Sequence, residues 1–469
     1  MTRHDVRGEA AQASRGSPGL LTESRMMSHL SRRSFLKTAA IGGLALPALV
    51  RSPAYAAANE KLNLAAVGVG GKGWSDLTSI AASPHVNVVA ICDIDESKDF
   101  LGRAAEKYPK AKRFTDWRKV LEESGIDAVQ VSTPDHMHAP ISLAAMALGK
   151  HVYCQKPLTH TVFEARAMQD AAAKAKVVTQ MGNQIQSHQF YRTATQLVHD
   201  GAIGKVKEVH SWQAGNPSWR KWTDRPAGSD PVPAGVHWDN WLGVAPERPF
   251  KTGVYHAFNW RNWQDFGTGQ LGDFGCHILD PVFTSLKLTA PLSMAAKAPE
   301  FGNEAWPTST NVEYVFPATE YTVGPTIKVT WHDGAGQIPA PESVGLPAGA
   351  KLPAAGSILI GEKGSLVIPH VAAPRLYPEE KFAEFKFPEV AARDHYITWA
   401  DACRGEGHTT SLFSYSGPLT ETVLLGTIAI RLPGEKLEWD AKGLSFKNSS
   451  KANQWLSKPY RKGWELTKV

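Results

Sequence analysis

The sequence has little cysteine. Four residues in 469, Cys92, Cys154, Cys276 and Cys403, are too few and too scattered for a disulfide framework, so free thiols are expected and packing must hold the fold. Past the N-terminal segment there is no apolar run of 18 residues, which excludes a spanning helix and stable membrane insertion. An excess of one charge is missing too. The formal net charge is +6, but residues 1–56 carry 8 of the 51 Lys/Arg and 3 of the 45 Asp/Glu, leaving 43 basic against 42 acidic residues in the remainder. The basic character therefore belongs to the N-terminal segment, and a nucleic-acid partner is excluded. No internal repeat is present, and the remaining length suits two domains with ample core.

The stretch "SRRSFLKTAAIGGLALPALV", Ser31 to Val50, explains that segment. Arg32 and Arg33 precede an apolar run too short to span a bilayer, and Ala54-Tyr55-Ala56 supplies a small-residue cleavage site. Paired arginines in this setting mark the twin-arginine route, so the twin-arginine export machinery is an expected partner, with cleavage near Ala56 and a periplasmic or secreted product. Met26 and Met27 stand just ahead of the signal, which makes residues 1–25 an upstream extension. No cysteine follows the cleavage site to take a lipid anchor.

From Leu62 onward "LNLAAVGV", "VNVVAICD", "DAVQVSTP", "KHVYCQKP" and "KVVTQMG" are short apolar runs without alternation, separated by helix-length stretches. Runs apolar on both faces imply a parallel sheet covered by helices on both sides. After Gly182 the strands alternate, as in "KVKEVHSWQ" and "STNVEYVF", and Pro/Gly/Trp-rich loops intervene. The expected architecture is an α/β Rossmann domain with a doubly wound parallel sheet over 57–182, then an α+β domain with a large, mainly antiparallel sheet over 183–469.

Gly68-Val69-Gly70-Gly71-Lys72-Gly73 follows the first strand and opens a helix, and Asp93 closes the second strand 20 residues after Gly73. That arrangement provides a tight turn, backbone close to a pyrophosphate, a helix N-terminus for its charge, and a carboxylate for the adenosine ribose. Asp93 would repel a 2′-phosphate, so NAD is favoured over NADP, with Lys98 as the one nearby cation that argues otherwise.

With "STPDHMHAP" and "GKHVYCQKPLTHT" the chain resembles the family of glucose-fructose oxidoreductase, inositol dehydrogenase and rhizopine catabolism proteins (Gfo/Idh/MocA). "GNQ" at Gly182 to Gln184, "GAIGKVKEV", "LGDFGCHILD" and "SGPLTETVLLG" carry the likeness across the chain. The resemblance implies a carbohydrate or cyclitol oxidoreductase and a homo-oligomer. It implies Lys156, Asp273 and His277 as catalytic residues, Lys156 standing between nicotinamide and substrate. It implies cofactor contacts from Gly68, Gly70, Gly71, Lys72, Gly73, Asp93, Thr133, Pro134, His138, Gln155, Lys156, Asn183 and Gln184. Gln155 replaces the family's glutamate in its E-K-P motif.

The residues argue in the same direction by themselves. Lys156 follows a strand's carboxyl end, where α/β sheets bind ligands, and suits a proton donor or relay. Asp273 and His277 are spaced i and i+4, so on a helix they share a face, and a carboxylate-oriented imidazole suits removal of a hydroxyl proton. Asp280 is a second candidate to orient His277. A capped helix with a core histidine is the structural alternative; a metal site would need His136-Met-His138 as further ligands, and no metal is expected. Seven of the fifteen tryptophans fall between Trp212 and Trp263, with His256, Arg261 and Asn262 among them, which fits either a sugar-stacking cleft or a packed loop.

An exported enzyme meets no free nicotinamide pool and must keep its own. With an association rate of about 10⁶ M⁻¹s⁻¹, a Kd of about 1 nM releases a ligand in roughly a quarter of an hour. Retention needs tighter binding or a cover from the second domain, and the redox state must be restored each cycle. A second sugar can do this, or a transient keto-sugar that allows glycoside cleavage or epimerisation. The family's hydrolase branch lacks the motif lysine, so Lys156 favours the oxidoreductase, and the full residue set disfavours a non-catalytic carbohydrate-binding relic.

Overall fold

The computed structural model describes residues 61–215 and 217–465. The twin-arginine segment and its cleavage site lie outside the described residues.

The first part alternates strand and helix: β1 (Leu62–Val67), α1 (Gly71–Ile80), β2 (Val86–Cys92), α2 (Leu101–Lys107), β3 (Lys112–Phe114), α3 (Trp117–Leu121), β4 (Ala128–Val131), α4 (His138–Ala147), β5 (His151–Cys154), α5 (Val162–Ala175) and β6 (Thr179–Met181). The six strands form one sheet in the order β3, β2, β1, β4, β5, β6, every pair parallel. All four residues of β4 are buried, as a strand covered on both faces must be. Sequence cues fix the helix ends: Thr161 and Glu164 form a reciprocal capping box at the start of α5, a device worth about 1 kcal/mol.

The chain continues through α6 (Gln189–His199), β7 (Val206–Gln213), α7 (Trp238–Leu242), α8 (Gly269–Ile278), α9 (Asp280–Leu286), β8 (Ser293–Lys297), β9 (Thr310–Pro317), β10 (Thr326–Asp333), β11 (Ala355–Gly361), β12 (Ser365–Pro369) and β13 (Arg375–Tyr377). It ends in α10 (His395–Cys403), α11 (Phe413–Ile430), β14 (Lys436–Asp440), β15 (Ser445–Phe446) and α12 (Ser450–Asn453). The second sheet has nine strands in the order β13, β12, β11, β7, β10, β9, β8, β14, β15. It is antiparallel except where β7 and β10 run side by side in parallel. α11 is buried along nearly all its length, so it shows no polar stripe and packs centrally between α5, α8 and this sheet.

The two sheets are tied by returning chain. α10 comes back to α1, where Tyr153 stacks on Tyr396 at 5.7 Å and meets Trp399 edge-on. All four cysteines are free and buried. No helix among the described residues is long and apolar enough to cross a membrane.

Candidate active site at the carboxyl edge of the parallel sheet

The glycine turn is built by close approach. Gly68 has φ +80°, and a Cβ there would lie 2.5 Å from the Ser132 carbonyl oxygen; a Cβ on Gly73 would lie 2.0 Å from the Gly68 oxygen. Only Gly71, at φ +48°, faces open space. Such a cradle fits a dinucleotide's pyrophosphate laid against the N-terminus of α1.

Asp93 does more than wait for a ribose. Its Oδ2 accepts from the amides of Val69 (2.8 Å) and Gly70 (3.1 Å), and Oδ1 accepts from Asp95 (3.1 Å). Burial pushes its pKa up, and those three amides pull it back. The carboxylate that would select NAD is thus also the clamp that shapes the turn.

Several expected cofactor residues turn inward. Lys72 gives its ammonium to Asp76 and to Tyr396 Oη (2.8 Å), so it points back along α1 and not towards a phosphate. Gln155 donates to Asp76 Oδ2 at 2.8 Å, a bond a glutamate could not make to a carboxylate, which accounts for glutamine at this position. His138 faces the carbonyls of Pro157 and Thr133, both at 2.8 Å, and so ties together the two loops flanking the cleft. Asn183 donates to Asp280 and accepts from Ser411, so its amide is engaged within the protein. Pro134 leads into the short turn that carries Asp135. In contrast, Thr133 Oγ1 and Gln184 Oε1 are buried without a partner, as groups awaiting a bound molecule would be.

At the end of β5, Lys156 Nζ donates to Asp273 Oδ1 (2.8 Å) and to the Asp273 carbonyl (2.5 Å), and Arg261 Nε reaches the same Oδ1 at 3.1 Å. Burial would raise the pKa of Asp273; the two cations outweigh it and hold the carboxyl well below its usual range. The pair spacing on α8 therefore misleads in one respect. Asp273 serves Lys156 and Arg261, not His277, because two full charges outcompete a neutral ring. Asp280 does not orient His277 either: it accepts from Asn183, Gln186 and Tyr415, and burial pushes its pKa up to about 7.

His277 is left free. Its Nδ1 is buried with no partner, and burial, reinforced by Lys156, holds the ring neutral. His370, from the end of β12, lies 5.7 Å from it, and Tyr191 of α6 bonds His370 Nδ1 at 3.0 Å. Neither His370 nor Tyr191 carries a motif, and Arg261 was hidden in the tryptophan-rich stretch. That stretch packs as a small core of its own, with Trp241, Trp260 and Trp263 buried beside Tyr255 and Phe266, and Arg261 stacked over Trp260. Among the described residues no group of three or more His, Cys, Asp or Glu side chains could hold a metal, and His136, facing the Trp241 carbonyl at 3.1 Å, is packed away.

Matches to family models fall on both sheets. Residues 62–183 match the NAD-binding Rossmann fold of the oxidoreductase family, and 190–324 match its C-terminal alpha/beta domain. The chain belongs to the Gfo/Idh/MocA family. A levoglucosan dehydrogenase of Pseudarthrobacter phenanthrenivorans is 25% identical over 47% of this chain and 50% of its own. A glycosyl hydrolase family 109 protein of Saccharopolyspora erythraea is 30% identical over 38% and 44%, and an inositol 2-dehydrogenase of Salmonella typhimurium 29% over 31% and 43%. The chain thus spans about half the length, or less, of these curated relatives. In fold it is similar to the WlbA dehydrogenase of Bordetella pertussis (TM-score 0.57, 16% identity, 81% of this chain and 99% of that one). The aldose-aldose oxidoreductase of Caulobacter crescentus gives a TM-score of 0.54 at 18% identity over 81% and 100%.

Proposed function

We propose that this protein uses a tightly held NAD to move hydride to or from a hydroxyl-bearing carbon of a sugar or cyclitol. The observation that carries this reading is the Lys156–Asp273–Arg261 network set beside an unpaired His277, at the sheet edge where the family's dinucleotide fold presents its cofactor. Bound NAD supplies the hydride acceptor. Thr133 Oγ1, Gln184 Oε1 and the turn at Gly71 are the groups free to hold it.

Neutral His277 can accept the hydroxyl proton as the carbon is oxidised, and Lys156 can bind or protonate the substrate oxygen. Such acid-base help is worth about 10² to 10⁴ in rate. The identities of the relatives support a carbohydrate-like substrate. The family 109 relative keeps a second reading open, glycoside cleavage or epimerisation through a transient keto-sugar.

Export by the twin-arginine route, carried by Arg32 and Arg33, makes retention of the cofactor necessary. A strap from the second half supports it. His237 N donates to the Ile94 carbonyl (2.8 Å), Glu96 N to the Gly235 carbonyl (2.9 Å), and His256 meets Asp95 at 2.8 Å, all on the loop that follows Asp93. The test is to denature the purified mature protein, assay the released NAD(H), and follow 340 nm absorbance, a property of the reduced ring, with a panel of sugars and cyclitols. Absence of both cofactor and reduction rejects the redox reading. Undiminished periplasmic yield after Arg32→Lys and Arg33→Lys together rejects the export route.

A further inference from the structure

Two imidazoles lie close together here, and only one of them belongs to a motif. His370 and His277 lie 5.7 Å apart, with the Phe274 ring edge-on to both. His370 also feels the charge of Lys156, which together with burial keeps it neutral, its pKa lowered to about 4. At 5.7 Å from His277 it stands beside the proposed reacting centre, although it comes from the second sheet.

Its tautomer follows from its partner. Tyr191 is 2% exposed, and its phenol, pushed up by burial, keeps its proton. Among the described residues the one acceptor within reach of that hydroxyl is His370 Nδ1, at 3.0 Å. Were His370 to donate from Nδ1 instead, the buried hydroxyl proton would be left unpaired, at about 1 to 3 kcal/mol. Nδ1 is therefore the acceptor and Nε2 carries the ring proton, with no protein partner among the described residues.

We propose that His370, set by Tyr191 as an Nε2 donor, binds a hydroxyl oxygen of the substrate next to the one at which His277 works, and so makes that second hydroxyl a requirement for tight binding. His370 contacts substrate, and Tyr191 is a positioning residue that acts through it. The inference rests on the dehydrogenase reading above for the direction of proton flow, and not for the tautomer.

The test uses the full mature protein labelled with ¹⁵N-histidine, the His370 signal being assigned by its loss in His370→Phe. Wild type should show His370 protonated on Nε2, and Tyr191→Phe should shift it towards a mixture. A wild-type signal protonated on Nδ1 overturns the assignment. Titration with myo-inositol, D-glucose and the monodeoxy glucoses should perturb the His370 and His277 signals together, and one deoxy sugar should bind roughly tenfold more weakly than glucose. That gap should close in His370→Phe and persist in His370→Gln, whose amide still donates. Signals that no sugar moves, or a His370→Phe protein that discriminates as wild type does, sink the proposal. If the sugars bind as expected but never reduce the nicotinamide, the dehydrogenase reading fails while this one stands.

Discussion

The ammonium of Lys156 lies 2.8 Å from the carboxylate of Asp273, across 117 residues of chain and between the two sheets of the molecule. Their side chains are only 13% and 15% accessible, so each charge depends on the other, with Arg261 as the third member. Asp273→Asn leaves two cations facing each other in a half-dry cleft. A cost of roughly 3 kcal/mol in stability is expected, together with a large loss of nicotinamide reduction. Lys156→Met, which removes one of those cations, should restore much of the stability without restoring reduction. Thermal unfolding and single-turnover absorbance separate the two effects. A doubly substituted protein as unstable as Asp273→Asn alone would show that the pair is not what holds this region.

Two glycines of the turn, Gly73 and Gly71, should respond differently to alanine. At Gly73 the new Cβ would sit 2.0 Å from a backbone oxygen that cannot swing away, so a loss of about 1 to 3 kcal/mol is expected, with impaired cofactor retention. Gly71→Ala meets open space and carries only the strain of φ +48°, about 1 to 2 kcal/mol. Its Cβ, however, would stand in open space at the N-terminus of α1, where the pyrophosphate is expected. Gly73→Ala should therefore lose stability together with NAD, and Gly71→Ala should lose NAD more than stability, as read by unfolding curves and by cofactor content after purification. Equal behaviour would place the pyrophosphate elsewhere.

What the sequence revealed was what local pattern can encode. Strands buried on both faces, the glycine turn, and Lys156 just past a strand end are each spelled within a few residues. The partner of Asp273 is not, because i, i+4 spacing speaks only of its own helix, and the cations that won come from the residues just after β5 and from the short turn at Asn259–Asn262 that precedes the helix. Lys72 is a sharper case: its partner Tyr396 lies 324 residues onward, on a helix that returns to the first sheet. Tryptophan content was ambiguous for a different reason. A sugar platform and a packed loop use the same side chains, and only burial distinguishes them. His370 follows a strand with no motif around it, so its meeting with His277 depends on how α8 packs against the second sheet.

Acid should weaken this fold. Burial lowers the pKa of His136 to about 3 and those of His138, His332, His370 and His395 to about 4, against 6.5 for a free ring. Between pH 6.5 and 4 the unfolded chain takes up protons at these positions and the folded chain does not, so stability falls as pH falls through that window. Asp135 and Asp280 act in the opposite sense. Raised to about 7, they keep a proton when folded that the unfolded chain has already lost, so they favour the fold as pH falls from 7 towards 4. Five imidazoles against two carboxyls leave the histidines dominant. Urea midpoints should be lower at pH 4.5 than at pH 7, and an equal or higher midpoint at pH 4.5 would reverse that balance.

Asp93 gives the most discriminating substitution, because it carries two jobs. As a selector, it disfavours the 2′-phosphate of NADP, and its removal should narrow the gap between the two cofactors. As a clamp, it holds the amides of Val69 and Gly70, and its removal should strand both and disorder the turn that either cofactor needs. Asparagine separates these jobs in large part, since its carbonyl oxygen can still accept from Val69 and Gly70 while the charge is gone, and only the Asp95 amide, left facing the NH2 group, loses its acceptor. Asp93→Asn should therefore bind NADP more tightly than wild type and lose less stability than Asp93→Ala, since one amide rather than three is left without its acceptor. Asp93→Ala should lose about 1 to 3 kcal/mol and bind both cofactors poorly. Calorimetric titration with each nucleotide, alongside unfolding curves for the two variants, makes the comparison. If alanine keeps the wild-type stability and simply evens out the two affinities, the clamp is incidental and Asp93 is a selector alone.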